Sequence, residues 1–380
     1  MQTASIQGKS NKPMMILSAL GILFVVDGHT GNGIGLMVSV FPYGSFFMPL
    51  FMFVSGYFWK AKVCESWKQT VRYLLHKFSR LMVPYLLWSA VYALAILALN
   101  GMGMAWQPIG FRELIYSICT DGTAARINGA AWFVPALFAV IAAYTCLRKV
   151  VGRVWRDFPA LVVFLLLGTA TVSLTHIPAG VYHKALLLYK MGFFLFFFHL
   201  GQCFRNGWER QFDRIGTLQL CVPLILINLL VLSLGESVDL GRLALMCDIA
   251  SHYSWLPFLT ASTGILFWWK VAKGLVPILG ENRLVNFISN NTFFIMMHHV
   301  MVIFLINGLL LLGKNCGVSC LGGFDIKGFL EDPWYLYHAG PWMNVLYFLL
   351  TVAGTLALCK IYLRLQSWIC EKRKQAHSVR

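Results

Sequence analysis

The sequence predicts an all-α fold, a polytopic transmembrane helical bundle of about ten spans with both termini cytoplasmic. Three observations predict it: the scarcity of charge, the recurrence of apolar stretches of spanning length, and the placement of the cations between them. Of 380 residues, 58% are hydrophobic and 12% charged, whereas an average soluble domain is roughly 25% charged. So few polar groups cannot cover a soluble core of this size, and lipid must solvate much of the chain.

A spanning helix needs roughly 17–25 mostly apolar residues. Such stretches occur at 14–30, 37–58, 81–99, 130–147 and 159–176, then at 185–204, 217–234, 252–269, 292–312 and 341–363. Each carries its own backbone hydrogen bonds, which lipid cannot supply. With the N-terminus inside, the alternation assigns 24 of the 31 Lys and Arg to cytoplasmic segments, as the positive-inside rule requires. The densest groups lie between Lys60 and Arg80, between Arg148 and Arg156, and from Lys360 onward. Lys190, Lys314 and Lys327 are among the few cations left to outer loops. An odd number of spans would scramble this pattern. The net charge of +16 is therefore a topology signal and not a nucleic-acid footprint.

The whole chain, 1–380, reads as one integral membrane domain with a short cytoplasmic tail at 1–13 and a basic one at 364–380. The start is polar and weakly basic with no cleavage site after the first apolar run, which reads as an uncleaved anchor. The longest polar stretches, about 60–80, 100–129 and 314–340, are too short for a separate catalytic domain. Chemistry then falls to residues on the helices or at their ends. The ten cysteines form no CxxC pair, and no HExxH or Cys–His spacing suggests a metal. Cys316 and Cys320 share one outer loop, where a disulfide is one reading that spacing alone does not fix.

An ionisable group within the hydrocarbon is costly and is a site hypothesis by default. Asp27 and His29 lie near the outer end of the first span. Two positions apart on a regular helix they point about 200° from one another, so they form a dyad only if the glycines at 28, 31, 33 and 35 break the helix. His29 reads either as a general base in a polar cavity or as a histidine that only bonds between helices. His298 and His299 are adjacent in the ninth span and point about 100° apart, so one at most faces a given cavity; His298 is the favoured one. His199 closes an aromatic run and reads as a packed or interfacial histidine, and Trp132 as an interfacial anchor. Ser55 and Gly56 suit close helix approach. Arg80, at the start of the third predicted span, either snorkels to headgroups or clamps a phosphate.

Five fragments in order, ALGILFVVDGH, PLFMFVSGYF, RLMVPYLLW, WFVPALF and SNNTFFIMMHH, resemble the acyltransferase-3 family of integral membrane acyltransferases. The resemblance implies transfer of an acyl group, usually acetyl, from acetyl-CoA or another acyl-CoA to a sugar hydroxyl. The acceptor class is a surface polysaccharide or lipid-linked glycan, and the setting is the cytoplasmic membrane of a bacterium. It makes His29 the essential histidine, with Asp27 and His298 as further catalytic candidates. Arg80, Ser55 and Tyr85 become the candidates for holding the acyl-CoA, in a site between spans 1, 2, 3 and 9. Beyond that co-substrate no cofactor or metal is expected, and lipids are the remaining partners. Family members carry Arg or Lys eleven positions before the histidine; here that residue is Ser18, with Lys12 and Arg80 as candidate replacements. The alternative class is a non-catalytic transporter or flippase for a lipid-linked sugar or acyl donor, against which stands the lack of an internal repeat.

Overall fold

A computed structural model of the protein describes residues 11–104, 111–120, 126–174, 186–234 and 253–378. All regular structure among them is helical. The principal helices are α1 (Lys12–His29), α2 (Tyr43–Phe58), α3 (Trp67–Gly101), α4 (Phe133–Val151) and α5 (Asp157–Ser173). They continue with α6 (Leu186–Cys203), α7 (Thr217–Ser233), α8 (Leu256–Gly274), α9 (Thr292–Asn315) and α10 (Pro341–Ser378). Each predicted span overlaps one of them within the described residues. Six helical stretches, built on α1, α3, α4, α6, α9 and α10, are long and apolar enough to cross a membrane, and α2, α5 and α7 are shorter apolar helices. The chain is a multi-pass helical membrane protein.

The contacts divide the chain into two units, one of Met1–Ile34, Ala272–Phe329 and Trp334–Arg380, the other of Gly35–Val271 and Leu330–Pro333. In the first unit, α1 is apolar on every side and Met14, Ile16, Leu17 and Val26 are fully buried, as expected of a helix inside a bundle. Asn11 starts it by accepting the Met14 amide at 3.1 Å. It packs against α9, α10 and the short helix Arg283–Asn290, whose start is set by Asn282 accepting the Leu284 and Val285 amides.

The helix does break at the glycines, but after His29 and not between Asp27 and His29. Gly31 takes φ +85°, a left-handed conformation that glycine adopts without steric penalty. The Asp27 carbonyl accepts the Thr30 amide at 3.1 Å and the Asn32 amide at 2.8 Å. The Asp27 carboxylate accepts the Ile34 amide at 3.0 Å, so this carboxylate organises the turn. Asn344, near the start of α10, donates to the Gly31 carbonyl at 2.9 Å. A Cβ on Gly33 would stand 2.4 Å from the Asn344 backbone, so the turn and α10 touch backbone to backbone.

In the second unit the closest pairing is α2 with α6. A Cβ on Gly56 would stand 1.8 Å from the Phe198 carbonyl oxygen, and one on Gly201 would stand 2.0 Å from that of Phe53. Two glycines, one on each helix, thus let the backbones meet, which is the small-residue packing that SGYF suggests. Helix α6 also packs on α4 and α5, and α3 packs on α4. The run Phe193 to Phe198 is entirely buried.

Several sequence expectations need correction. The basic stretch at 60–80 is mostly helix: Ser66 caps α3 by accepting the Gln69 amide at 3.2 Å, and no Gly or Pro lies between Trp67 and Arg80 to stop it. Arg80 therefore stands well inside α3, exposed, rather than opening it. The basic C-terminal tail is likewise helical, since α10 runs unbroken to Ser378. Lys190 is not a loop cation but lies within α6, 1% exposed, with its ammonium 4.1 Å from the centre of the Trp132 ring, a cation–π contact that offsets part of its desolvation. Trp132 itself is buried within the protein and not exposed as a lipid-facing anchor would be. Cys316 and Cys320 are exposed free thiols.

Candidate active site

His29 ends α1 and meets α9. Its Nδ1 lies 2.7 Å from Nε2 of His299, and the two rings stack with centroids 4.9 Å apart and planes 12° from parallel. Since neighbouring residues on a helix diverge by about 100°, α9 can turn only one of its two histidines to this position. That ring is His299 and not His298, which packs on Phe294 at a centroid distance of 4.1 Å.

The hydrogen bonds fix the proton positions. His299 Nδ1 lies 3.0 Å from the Ile295 carbonyl oxygen one turn back. A carbonyl only accepts, so Nδ1 carries the hydrogen and Nε2 of the neutral ring is left as an acceptor. His29 must then donate through Nδ1, which leaves His29 Nε2 with a lone pair. A backbone oxygen, one imidazole and a second imidazole form a relay of orientation that ends on a basic nitrogen. His299 is fully buried, while His29 is half-buried and keeps accessible surface.

A second ring constrains His29. Trp334 meets it edge to face at a centroid distance of 5.0 Å. Trp334 is held by a polar network beneath it. Asn307 on α9, 1% exposed, donates to the Tyr335 carbonyl at 2.7 Å and accepts a short bond from the Tyr347 hydroxyl on α10. That hydroxyl also accepts the Tyr337 amide at 3.1 Å. The Tyr335 hydroxyl accepts the Asp325 amide at 3.0 Å, and Lys314 donates to the Phe324 carbonyl at 2.6 Å. The stretch after α9 is therefore an ordered cover, and Asn307 is its central tie.

Of the residues singled out in sequence, His29 and Asp27 lie on α1 and His298 on α9, all in the first unit, whereas Ser55, Arg80 and Tyr85 belong to the second. Ser55 is half-buried, Tyr85 fully buried and Arg80 exposed. Ser18 donates to the Met14 carbonyl of its own helix at 2.8 Å, and Lys12 pairs with Glu281. His199 is the packed residue its sequence context suggests. It is fully buried, donates through Nε2 to the Asp157 carbonyl at 2.8 Å and accepts the Tyr144 hydroxyl on Nδ1 at 2.9 Å. Sequence reasoning missed Trp334 and the Asn307 network. Their one sequence signal is the aromatic cluster PWYLY in an otherwise polar stretch. Among the described residues no three His, Cys, Asp or Glu side chains gather as a metal site would need.

Comparison with protein families finds a match over residues 16–364 to the acyltransferase domain of the acyltransferase-3 type. Neither a search of curated proteins nor one of solved structures returns a match.

Proposed function

Because this chain belongs to the acyltransferase-3 family and is a multi-pass membrane acyltransferase, we propose that it moves an acetyl group from acetyl-CoA to a sugar hydroxyl of a surface polysaccharide or lipid-linked glycan in the cytoplasmic membrane. The observation that carries this reading is the lone pair left on Nε2 of His29, whose ring is oriented through His299 and the Ile295 carbonyl.

The chemistry needs a base that is weak enough to release its proton afterward, and imidazole fits at neutral pH. His29 Nε2 takes the proton of the acceptor hydroxyl while its oxygen attacks the thioester carbonyl. The carbon–sulfur bond breaks, the thiolate leaves, and the proton held by His29 passes to it. As positive charge develops on His29, its Nδ1–H bond to His299 strengthens, because a charged donor makes the stronger hydrogen bond. Trp334 limits the ring's rotation, so the lone pair keeps its aim. Asp27 supports the reaction at one remove, by fixing the turn that ends α1 at His29.

The transporter reading is separated from this one by full-length protein in vesicles given acetyl-CoA labelled in the acetyl group, with lipid-linked glycan as acceptor. Label in an alkali-labile ester on the glycan is the expected result. Intact acetyl-CoA crossing the bilayer with no ester formed would overturn the proposal.

The cover also has a kinetic signature. Trp334→Ala is expected to lower kcat by roughly tenfold or more by freeing the His29 ring, and Trp334→Phe to retain most of it. Asn307→Leu, which leaves the Tyr335 carbonyl and Tyr347 hydroxyl without their partner, is expected to lower both kcat and thermal stability. Initial rates and melting curves on the same preparations check both.

A further inference from the structure

The second unit contains a cavity of about 500 Å³ lined by Trp59, Lys60, Arg148, Asp157, Gln202 and Arg205, among others. The chain builds it where the ends of α2, α4 and α6 meet the start of α5. After α6 the helix widens into a π-helical turn, Phe204–Trp208, a local irregularity often found at functional sites. Arg205 in that turn donates to the Trp59 carbonyl at 3.0 Å, which holds the end of α2 against it. The Trp59 indole donates to Thr145 on α4 at 3.1 Å. His199 holds the Asp157 carbonyl from below.

Charge and hydrogen bonding both point to a ligand. Three cations and one carboxylate line the cavity, and the carboxylate is engaged by Asn206 at 2.8 Å. Gln202 is 7% exposed; its amide nitrogen donates to Asn206 at 3.2 Å, while its Oε1 has no hydrogen-bond partner among the described residues. Arg148 lies over the Trp155 ring at 5.0 Å, which fixes its guanidinium, and its Nη1 is likewise buried without a partner. A buried donor on Arg148 and a buried acceptor on Gln202, both residues lining the cavity, are each costly to leave unmet. A ligand that meets both presents an acceptor oxygen to Arg148 and an N–H or O–H donor to Gln202, and an anionic oxygen suits the arginine best. Arginine in a fixed plane suits phosphate oxygens, and the volume lies in the range of small-molecule sites, about 300–1,000 Å³.

We propose that this cavity is a phosphate-binding site, distinct from the His29 site, that takes a phosphate group with an adjacent donor. Lys60, Arg148 and Arg205 all belong to segments that the charge asymmetry assigns to the cytoplasmic side. Two sources of such a group exist there: the phosphorylated nucleotide end of CoA and the headgroup of an anionic phospholipid. The first rests on the reading of acyl-CoA as donor; the pocket itself does not.

The test uses the full-length protein in phosphatidylcholine nanodiscs. CoA binding is measured by calorimetry for wild type, Arg148→Gln, Arg148→Lys, Lys60→Gln and His29→Gln. If the nucleotide end fills the pocket, Arg148→Gln weakens CoA by about tenfold or more, Arg148→Lys recovers part of that, and His29→Gln binds as wild type. Lys60 is exposed, so its variant keeps the test open if Arg148→Gln folds poorly. In a second arm without CoA, discs with added phosphatidylglycerol raise the melting temperature of wild type but not of Arg148→Gln if a lipid phosphate is the occupant. Equal CoA affinity in wild type and the pocket variants, together with an unchanged lipid shift, overturns the proposal while leaving the donor reading intact. Arg148-dependent CoA binding in a protein that transfers no acetyl group would do the reverse.

Discussion

Replacing His29 with glutamine is expected to reduce acyl transfer by roughly 10²–10⁴-fold, the usual contribution of a positioned acid–base group. Glutamine has a similar size and polarity, so the end of α1 and its turn should survive, but an amide cannot take up and release a proton at neutral pH. His299→Phe is expected to act in the same direction with a smaller loss, since it removes the acceptor that sets the His29 tautomer and leaves the base in place. The two losses should be non-additive, because both act through one nitrogen. Initial-rate assays on protein shown by size-exclusion to be folded would decide it. Near wild-type turnover in His29→Gln would remove the mechanism, whatever the acceptor is.

The second large effect is structural. Gly56→Val should destabilise the second unit by several kcal/mol and leave little folded protein in the membrane. The added Cβ would stand 1.8 Å from a backbone oxygen, about half of normal carbon–oxygen van der Waals contact. No rotamer change relieves a clash with backbone, so α2 and α6 must part and lose close contact along their length. Gly201→Val should do the same from the other side, because its contact with Phe53 is the mirror of the first. Melting curves monitored by fluorescence size-exclusion check both. A shift of only a degree or two in either would mean the helices do not approach as described.

The helices themselves were legible in the sequence because apolar length is a direct demand of the bilayer. Their ends were less so. A rule that looks for apolar runs stops α3 short on its basic side, although Trp67 to Arg80 contain nothing that ends a helix. Lys190 was misread for a related reason: a lysine near a predicted boundary passes for a loop residue, and only the fold reveals the tryptophan face against it. His29 stood out as a titratable group at membrane depth. Its partner did not, because choosing between His298 and His299 needs the rotation of α9 about its own axis, which an apolar sequence with a weak amphipathic pattern does not encode. Beyond the PWYLY cluster, the roles of Trp334 and Asn307 left no mark, because they arise from contacts between segments distant in the chain. The cavity around Arg148 joins four segments whose cations had already been accounted for by topology, so nothing marked them as a set.

The anchor of the histidine relay has a consequence for genetics. Because His299 is oriented by the main-chain oxygen of position 295, no change of side chain there can abolish that acceptor. A saturation library should therefore find positions 29 and 299 intolerant, while 295 accepts other helix-compatible apolar residues. Its one vulnerability is helix geometry: a proline at 299, lacking the amide and clashing with that same oxygen, would lose the imidazole and deform the support together.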